Sequence, residues 1–479
     1  MRKSICLFLL TLCLLLPACA SAAPADTEPV PKPDTSEEHL TETETEATSA
    51  SEEQLAEPDT ETSSASEDDQ VPELSERERN WINDIRFLQE RYKTYHPDPF
   101  YLYPEEEFDW KIDWLCQNVG SLSDNDIYFE LMAIVAGMGD IHTYVLPSDS
   151  LYDYFFPFAV KYYDGRLYLT AYIEGYEQLE PYLLREIVAV NGADISYLER
   201  KFENIINPNN KWNSKEIFCT YYFVPAFFEW VDCGSQDSYT FQILDENQKV
   251  QSVEVPLVPY AEYATASVVY PENWLSYTNE DAGNWTEYRN GENGGYVYIN
   301  LEQLIDLDEA DFLEVFEKAS ELLDEHPDCG KLVIDLRYNP GGLETLSLGS
   351  LRKGIKILKE HSIEQSYVLI GGYTMSAAMN CIGLFKEEMN AVTVGEPTGQ
   401  FTSFFCYSYI YEVVLPQSRI SVKIANGWHD GNDFAGAVYD ENGSLYEWED
   451  TILPDVYIHP DIEDARQGTT SALKWILAQ

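Results

Sequence analysis

Basic residues are scarce in this chain. It carries 30 Lys and Arg against 84 Asp and Glu, a formal net charge of −54. With no basic stripe to neutralise phosphates, nucleic acid is excluded as a partner. The cysteines beyond residue 19 (Cys116, Cys219, Cys233, Cys329, Cys381 and Cys406) form no CxxC pair and have no His at zinc spacing, so no metal site is expected. Cys329 and Cys381 flank strongly apolar segments and read as buried thiols. Cys219 and Cys233 are the pair to test for a disulfide. No segment after the first apolar run has eighteen uninterrupted apolar residues, so nothing later is expected to span a bilayer.

What is present begins with a leader pattern. Met1-Arg2-Lys3 is positive and Ile5 to Leu16 is apolar, long enough for a secretory signal and short for a membrane span. The run ends in Leu16-Pro17-Ala18-Cys19, which looks like a bacterial lipobox with Cys19 as the lipidated residue. Ala18-Cys19-Ala20 and Ala20-Ser21-Ala22 also read as ordinary small-x-small cleavage sites, so soluble secretion stays open. The expectation is a lipoprotein signal over 1–19 and an extracytoplasmic protein held to the membrane by its N-terminal lipid. Residues 20–75 are mostly Glu, Asp, Thr, Ser and Pro. Such a segment cannot bury enough apolar surface to offset its ordering entropy, so it reads as a disordered acidic tether.

The rest divides by pattern. Residues 76–148 read as a helical subdomain: Trp81, Ile85, Leu88 and Tyr92 recur at helical spacing until His96-Pro97-Asp98-Pro99 interrupts them. Residues 149–260 read as short strands with one helix from Ile195, punctuated by the turn signals Asp164-Gly165 and Asn191-Gly192. This module is expected to be PDZ-like, although the apolar-Gly carboxylate loop of such modules is not evident. Over 261–479 strands alternate with helices: Tyr296 to Leu301, Leu332 to Leu336, Tyr367 to Ile370 and Val392 to Val394, with helices between. That alternation predicts a partly parallel α/β layer. Tyr409 to Leu415 and Ile420 to Ile424 read as an antiparallel hairpin appended to it.

Three segments carry candidate chemistry. In Asp335-Leu336-Arg337-Tyr338-Asn339-Pro340-Gly341-Gly342 a buried strand runs into a glycine turn, where backbone N–H groups can face a ligand and meet a developing negative charge. In Tyr373-Thr374-Met375-Ser376-Ala377-Ala378, a serine lies between a strand and a helix start, where free N–H groups favour negative charge. Ser376 is there either a nucleophile or an ordinary N-cap. In Asp140-Ile141-His142-Thr143, a histidine follows a helix and precedes a strand. With an ordinary pKa near 6.5 it is suited to take a proton from serine at neutral pH.

In order and spacing these segments resemble the tail-specific (C-terminal processing) and tricorn-core serine peptidases. Val394-Gly395-Glu396-Pro397-Thr398-Gly399 and the closing Pro454-Asp455-Val456 add to the likeness, which spans about residues 80 to 470. The resemblance implies an α/β, crotonase-like catalytic core, hydrolysis of protein or peptide substrates, and no cofactor. It implies Ser376 as nucleophile, with the N–H of Ala377 and that of Gly341 or Gly342 binding the oxyanion. The Ser–Lys branch carries a lysine just past the Gly-Glu-x-Thr turn, where this chain has Gly399-Gln400-Phe401. The tricorn-like branch uses an N-terminal histidine instead, which assigns His142 as base. A C-terminal carboxylate should then orient it: Glu449, with Glu447 and Asp450 as competitors. Glu396 is expected to support the turn. A non-catalytic peptide- or ligand-binding lipoprotein of the same fold is the alternative. A solute-binding lipoprotein would need two similar α/β lobes, and the pattern shows one.

Overall fold

The computed structural model describes residues 74–101, 103–206, 211–234, 237–271, 283–291, 294–304, 309–342, 344–407, 412–429 and 451–479. Cys19, the tether up to residue 73, Glu447, Glu449 and Asp450 lie outside them.

A six-stranded sheet organises the C-terminal part. Its strand order is Trp285–Gly291, Gly294–Asn300, Lys331–Asp335, Gln365–Ile370, Val392–Gly395 and Val456–Tyr457, antiparallel in the first pair and parallel thereafter. Alternation in the sequence decides which layer each side chain joins. Val297, Ile299, Leu332, Ile334, Val368 and Ile370 face the helices Glu309–Glu325, Glu344–Leu358 and Ala377–Met389. Tyr296, Tyr298, Val333, Tyr367, Leu369 and Val394 face the C-terminal helix Ser471–Leu477. Being apolar on both faces, these strands read as near-continuous hydrophobic runs, as parallel strands covered on both sides must.

The N-terminal helices Glu76–Tyr95, Glu105–Asn118 and Asp124–Ala136 pack through Trp81, Ile85, Leu88, Phe108, Ile112, Ile127 and Leu131. Ser123 caps the third helix, and the Asp126 side chain returns a bond to the Ser123 backbone, the reciprocal capping box. Their apolar cluster continues into the strand-rich region around Phe156, Phe223 and Phe241. There Ala193–Asp194, Ile187–Val190, Ser238–Leu244 and Val250–Pro256 form a four-stranded antiparallel sheet beside the helix Ile195–Glu203. Both turn signals fold as their chemistry requires, with Asp164, Gly165, Asn191 and Gly192 all at positive φ.

Two expectations need correction. The hairpin Glu412–Val414 with Ser421–Lys423 is not appended to the α/β sheet. It pairs with Tyr144–Val145 in a separate three-stranded sheet, and Val413, Leu415, Ile420, Val422 and Ile424 pack in the N-terminal cluster. The physical reason is register: its apolar face matches the surface left by the helices, which a local pattern does not reveal. Cys219 and Cys233 are both free thiols, and Cys233 Sγ donates to the Val190 carbonyl at 3.0 Å. Cys329 and Cys381 are buried and free. Among the described residues no helix is long and apolar enough to cross a membrane, and no cluster of His, Cys, Asp and Glu could hold a metal ion.

Candidate active site

Ser376 occupies the turn between the strand Gln365–Ile370 and the helix Ala377–Met389. Its side chain makes no capping bond, which removes the ordinary reason for a serine in that place. Its backbone is strained instead, with φ +50° and ψ −129°. An L-residue held in such a sparsely populated conformation costs of order 1–3 kcal/mol, and persists only where the surroundings over-determine it. The surroundings here do so.

Asn339 is buried and ties three elements together. Its Nδ2 donates to the Leu301 carbonyl at 2.8 Å, its Oδ1 accepts the Gly341 N–H at 2.9 Å, and its backbone carbonyl accepts the Met375 N–H at 3.1 Å. Thr374 Oγ1 donates to the Leu336 carbonyl at 2.7 Å, and the Thr374 carbonyl accepts the Gly399 N–H at 3.1 Å. The Ser376 N–H donates to Gln400 Oε1 at 2.9 Å. The strand end at 335–339, the serine turn and the 395–400 turn are thus one bonded unit.

The glycine turn lies directly against the serine. A Cβ on Gly341 would fall 2.6 Å from Ser376 Cβ and 2.9 Å from the Ala377 nitrogen, and Gly341 has φ +98°. Because Asn339 takes up the Gly341 N–H, the oxyanion expectation narrows to Gly342 and Ala377. Neither of those N–H groups has an acceptor among the described residues. Ala377 is also the first residue of its helix, where the N–H groups lack intrahelical partners.

His142 arrives from a different part of the chain. Asp140, buried, accepts the His142 N–H at 2.8 Å, the Thr143 hydroxyl at 2.5 Å and His96 Nε2 at 3.2 Å. His96 Nδ1 accepts the Asp98 N–H at 3.3 Å, so its Nε2 carries the proton towards Asp140. Thr143 Oγ1 accepts the Ala425 N–H at 3.0 Å, and the Tyr407 hydroxyl donates to the His142 carbonyl at 2.5 Å. The imidazole is buried between Phe404, stacked on its face, and Tyr407, edge-on. Desolvation lowers its pKa from 6.5, against the opposing pull of the Asp140 carboxylate and the Phe405 backbone. Nδ1 is buried and has no partner among the described residues.

Ser376 and His142 meet the same short stretch of chain. Gln400 bonds the serine and Phe404 covers the histidine, and four residues of extended chain reach at most ~14 Å. Thr451, buried, pins that stretch from the other side, its single hydroxyl proton shared between the carbonyls of Thr398 at 2.8 Å and Gln400 at 2.9 Å. Lys386 is held by Asp455 at 2.6 Å and Lys423 by Glu412 at 2.6 Å. Glu396 faces His459 at 3.4 Å and raises its pKa.

Comparison with known proteins rests on the fold. No family model and no curated protein matches the chain. Mature CPAF superposes with a TM-score of 0.55 at 14% identity, over 84% of this chain and 96% of that one. The chain shares the fold of CPAF. Mature CPAF complexed with lactacystin gives a TM-score of 0.54 at 13% identity, over 84% of this chain and 98% of that one. The photosystem II D1 C-terminal processing protease aligns over 81% of this chain at 14% identity, with a TM-score of 0.36 too low to carry an argument.

Sequence reasoning passed over Asn339, Gln400, Phe404 and Tyr407. Only Gln400 had a usable signal, a polar residue just past the Gly-Glu-x-Thr turn where the Ser–Lys branch places its base.

Proposed function

We propose that this chain is a serine endopeptidase acting on protein or peptide substrates. The carrying observation is Ser376: strained, not capping its helix, and set against the unengaged N–H groups of Ala377 and Gly342. The fold shared with CPAF, solved also as its complex with lactacystin, adds support. On this reading the core is crotonase-like and the strand-rich region at 149–260 is a PDZ-like module.

In the first half-reaction Ser376 Oγ attacks the substrate carbonyl carbon while its proton passes to His142. The carbonyl π pair moves onto oxygen, where the Ala377 and Gly342 N–H groups receive the charge. Collapse breaks the C–N bond, and the amine leaves with the proton from His142. Water then adds to the acyl-enzyme with His142 as base, and the acid departs. Glu449 is the carboxylate assigned to His142. It lies two residues before Thr451, which is bonded to the Gln400 turn, and His142 Nδ1 is buried without a partner among the described residues.

A fluorophosphonate probe tests the reading: labelling at Ser376, lost in Ser376→Ala, is expected. An unlabelled, folded wild type that binds peptides without cleaving them would mean a binding protein. The proposed location is extracytoplasmic, with Cys19 lipidated. Cys19→Ser should then release the protein or leave its leader uncleaved, whereas an unlipidated mature wild type would show ordinary secretion.

A further inference from the structure

Gln400 has a donor that no described residue uses. The residue is 1% exposed, its Oε1 accepts the Ser376 N–H at 2.9 Å, and its Nε2 is buried without a partner among the described residues. Orientation is not in doubt chemically, because a backbone N–H must face the amide oxygen, which leaves the NH₂ on the other branch of the same carbon. A buried amide donor left unpaired destabilises the fold, because it has given up water without gaining an acceptor. The residue is also rigid, since Thr451 Oγ1 holds its carbonyl and the Gly399 N–H is bonded to Thr374. An unpaired donor fixed next to the nucleophile is pre-arranged for an acceptor that arrives with the substrate.

We propose that Gln400 is a catalytic residue whose Nε2 donates a hydrogen bond to the substrate carbonyl oxygen attacked by Ser376. The inference rests on the peptidase reading and extends it. It assigns Gln400 two tasks on one amide. The oxygen holds the serine backbone in its strained conformation, and the nitrogen joins the Ala377 and Gly342 N–H groups around the developing charge. Taking up the Ser376 N–H has a further consequence: the nucleophile's own backbone donor is withdrawn from the oxyanion, and the Gln400 amide replaces it.

Two variants of the full chain test this, read by kcat and KM on one unstructured peptide and by the Ki of a peptidyl trifluoromethyl ketone, which forms a tetrahedral adduct with an active serine. Gln400→Glu keeps an acceptor for the Ser376 N–H but loses the donor. Gln400→Met keeps length, stays neutral and loses both, so a defect common to the two isolates the missing donor from added charge. The expected result is a fall in kcat of about 10²–10³-fold in both, KM little changed, and the ketone's Ki raised by the same factor as kcat/KM falls. Wild-type kcat in either folded variant, or reduced kcat with an unchanged ketone Ki, overturns the assignment while leaving the peptidase reading intact. If Gln400→Met does not fold, Gln400→Glu carries the comparison, with circular dichroism as the check. A wild type that shows neither turnover nor Ser376 labelling overturns the peptidase reading and this inference together.

Discussion

Phe404 lies flat on His142, with ring centroids 5.2 Å apart and planes 11° from parallel. His429 stacks on Phe404 as well, at 4.8 Å and 29°. The imidazole is therefore fixed in orientation and shut away from water, and burial is the largest influence on its titration. A base that stays neutral at physiological pH is what serine activation requires.

The acid limb of kcat/KM should accordingly fall below the ordinary histidine pKa of 6.5, the direction in which burial moves His142. Phe404→Ala should admit water and move the limb back up towards that value, measured on one peptide across a pH series. Stability follows the same sign. Between the lowered folded pKa and 6.5 the unfolded chain binds more protons, so stability rises with pH there and declines as pH falls through that window. Denaturant midpoints at about pH 7.5 and about pH 5.5 should differ less in His142→Ala than in the wild type.

His142→Ala should lower turnover by several orders of magnitude, comparable to Ser376→Ala, because members of such a unit act together. Lys386→Ala and Lys423→Ala should keep most activity, since Asp455 and Glu412 already hold those ammonium groups. Their loss should cost stability of about 1 kcal/mol or less for the exposed Lys386 pair. A dead lysine variant beside an active His142→Ala would reverse the assignment of the base.

Gly341→Ala should cut activity at least ~10²-fold, the size of effect seen when oxyanion donors are displaced. The added methyl would meet Ser376 Cβ and the Ala377 nitrogen, and alanine does not adopt φ +98° without strain. Asn339→Ala should destabilise by roughly 2–4 kcal/mol, because the Gly341 N–H and Leu301 carbonyl both lose a buried partner. Chemical denaturation distinguishes the two: a stability loss in Gly341→Ala without an activity loss would refute the proposed packing at the serine.

Reducing agent should leave the melting temperature unchanged, because Cys219, Cys233 and the other four described cysteines are free thiols. A drop of several degrees on reduction would reveal a bridge that this structure does not contain.

The sequence by itself determined the central strands, their helices and the tight turns. Each is set locally: alternation over Tyr296 to Ile299 or Leu332 to Ile334 places side chains on two faces, and Asn191-Gly192 supplies the positive φ its turn needs. It also determined the candidate serine and histidine, through residue types and order. Only the tertiary structure decided what surrounds them. Tyr407 bonds His142 across 265 residues, Ala425 bonds Thr143 across 282, and Asn213 reaches Gly372 across 159. Such pairs depend on how the hairpin Glu412–Lys423 registers against Tyr144–Val145, and a strand's register is set by its partner surface. The unpaired Gln400 nitrogen likewise exists only because Ser376 is bonded to the oxygen of the same amide, a relationship of two folded turns that neither turn encodes alone.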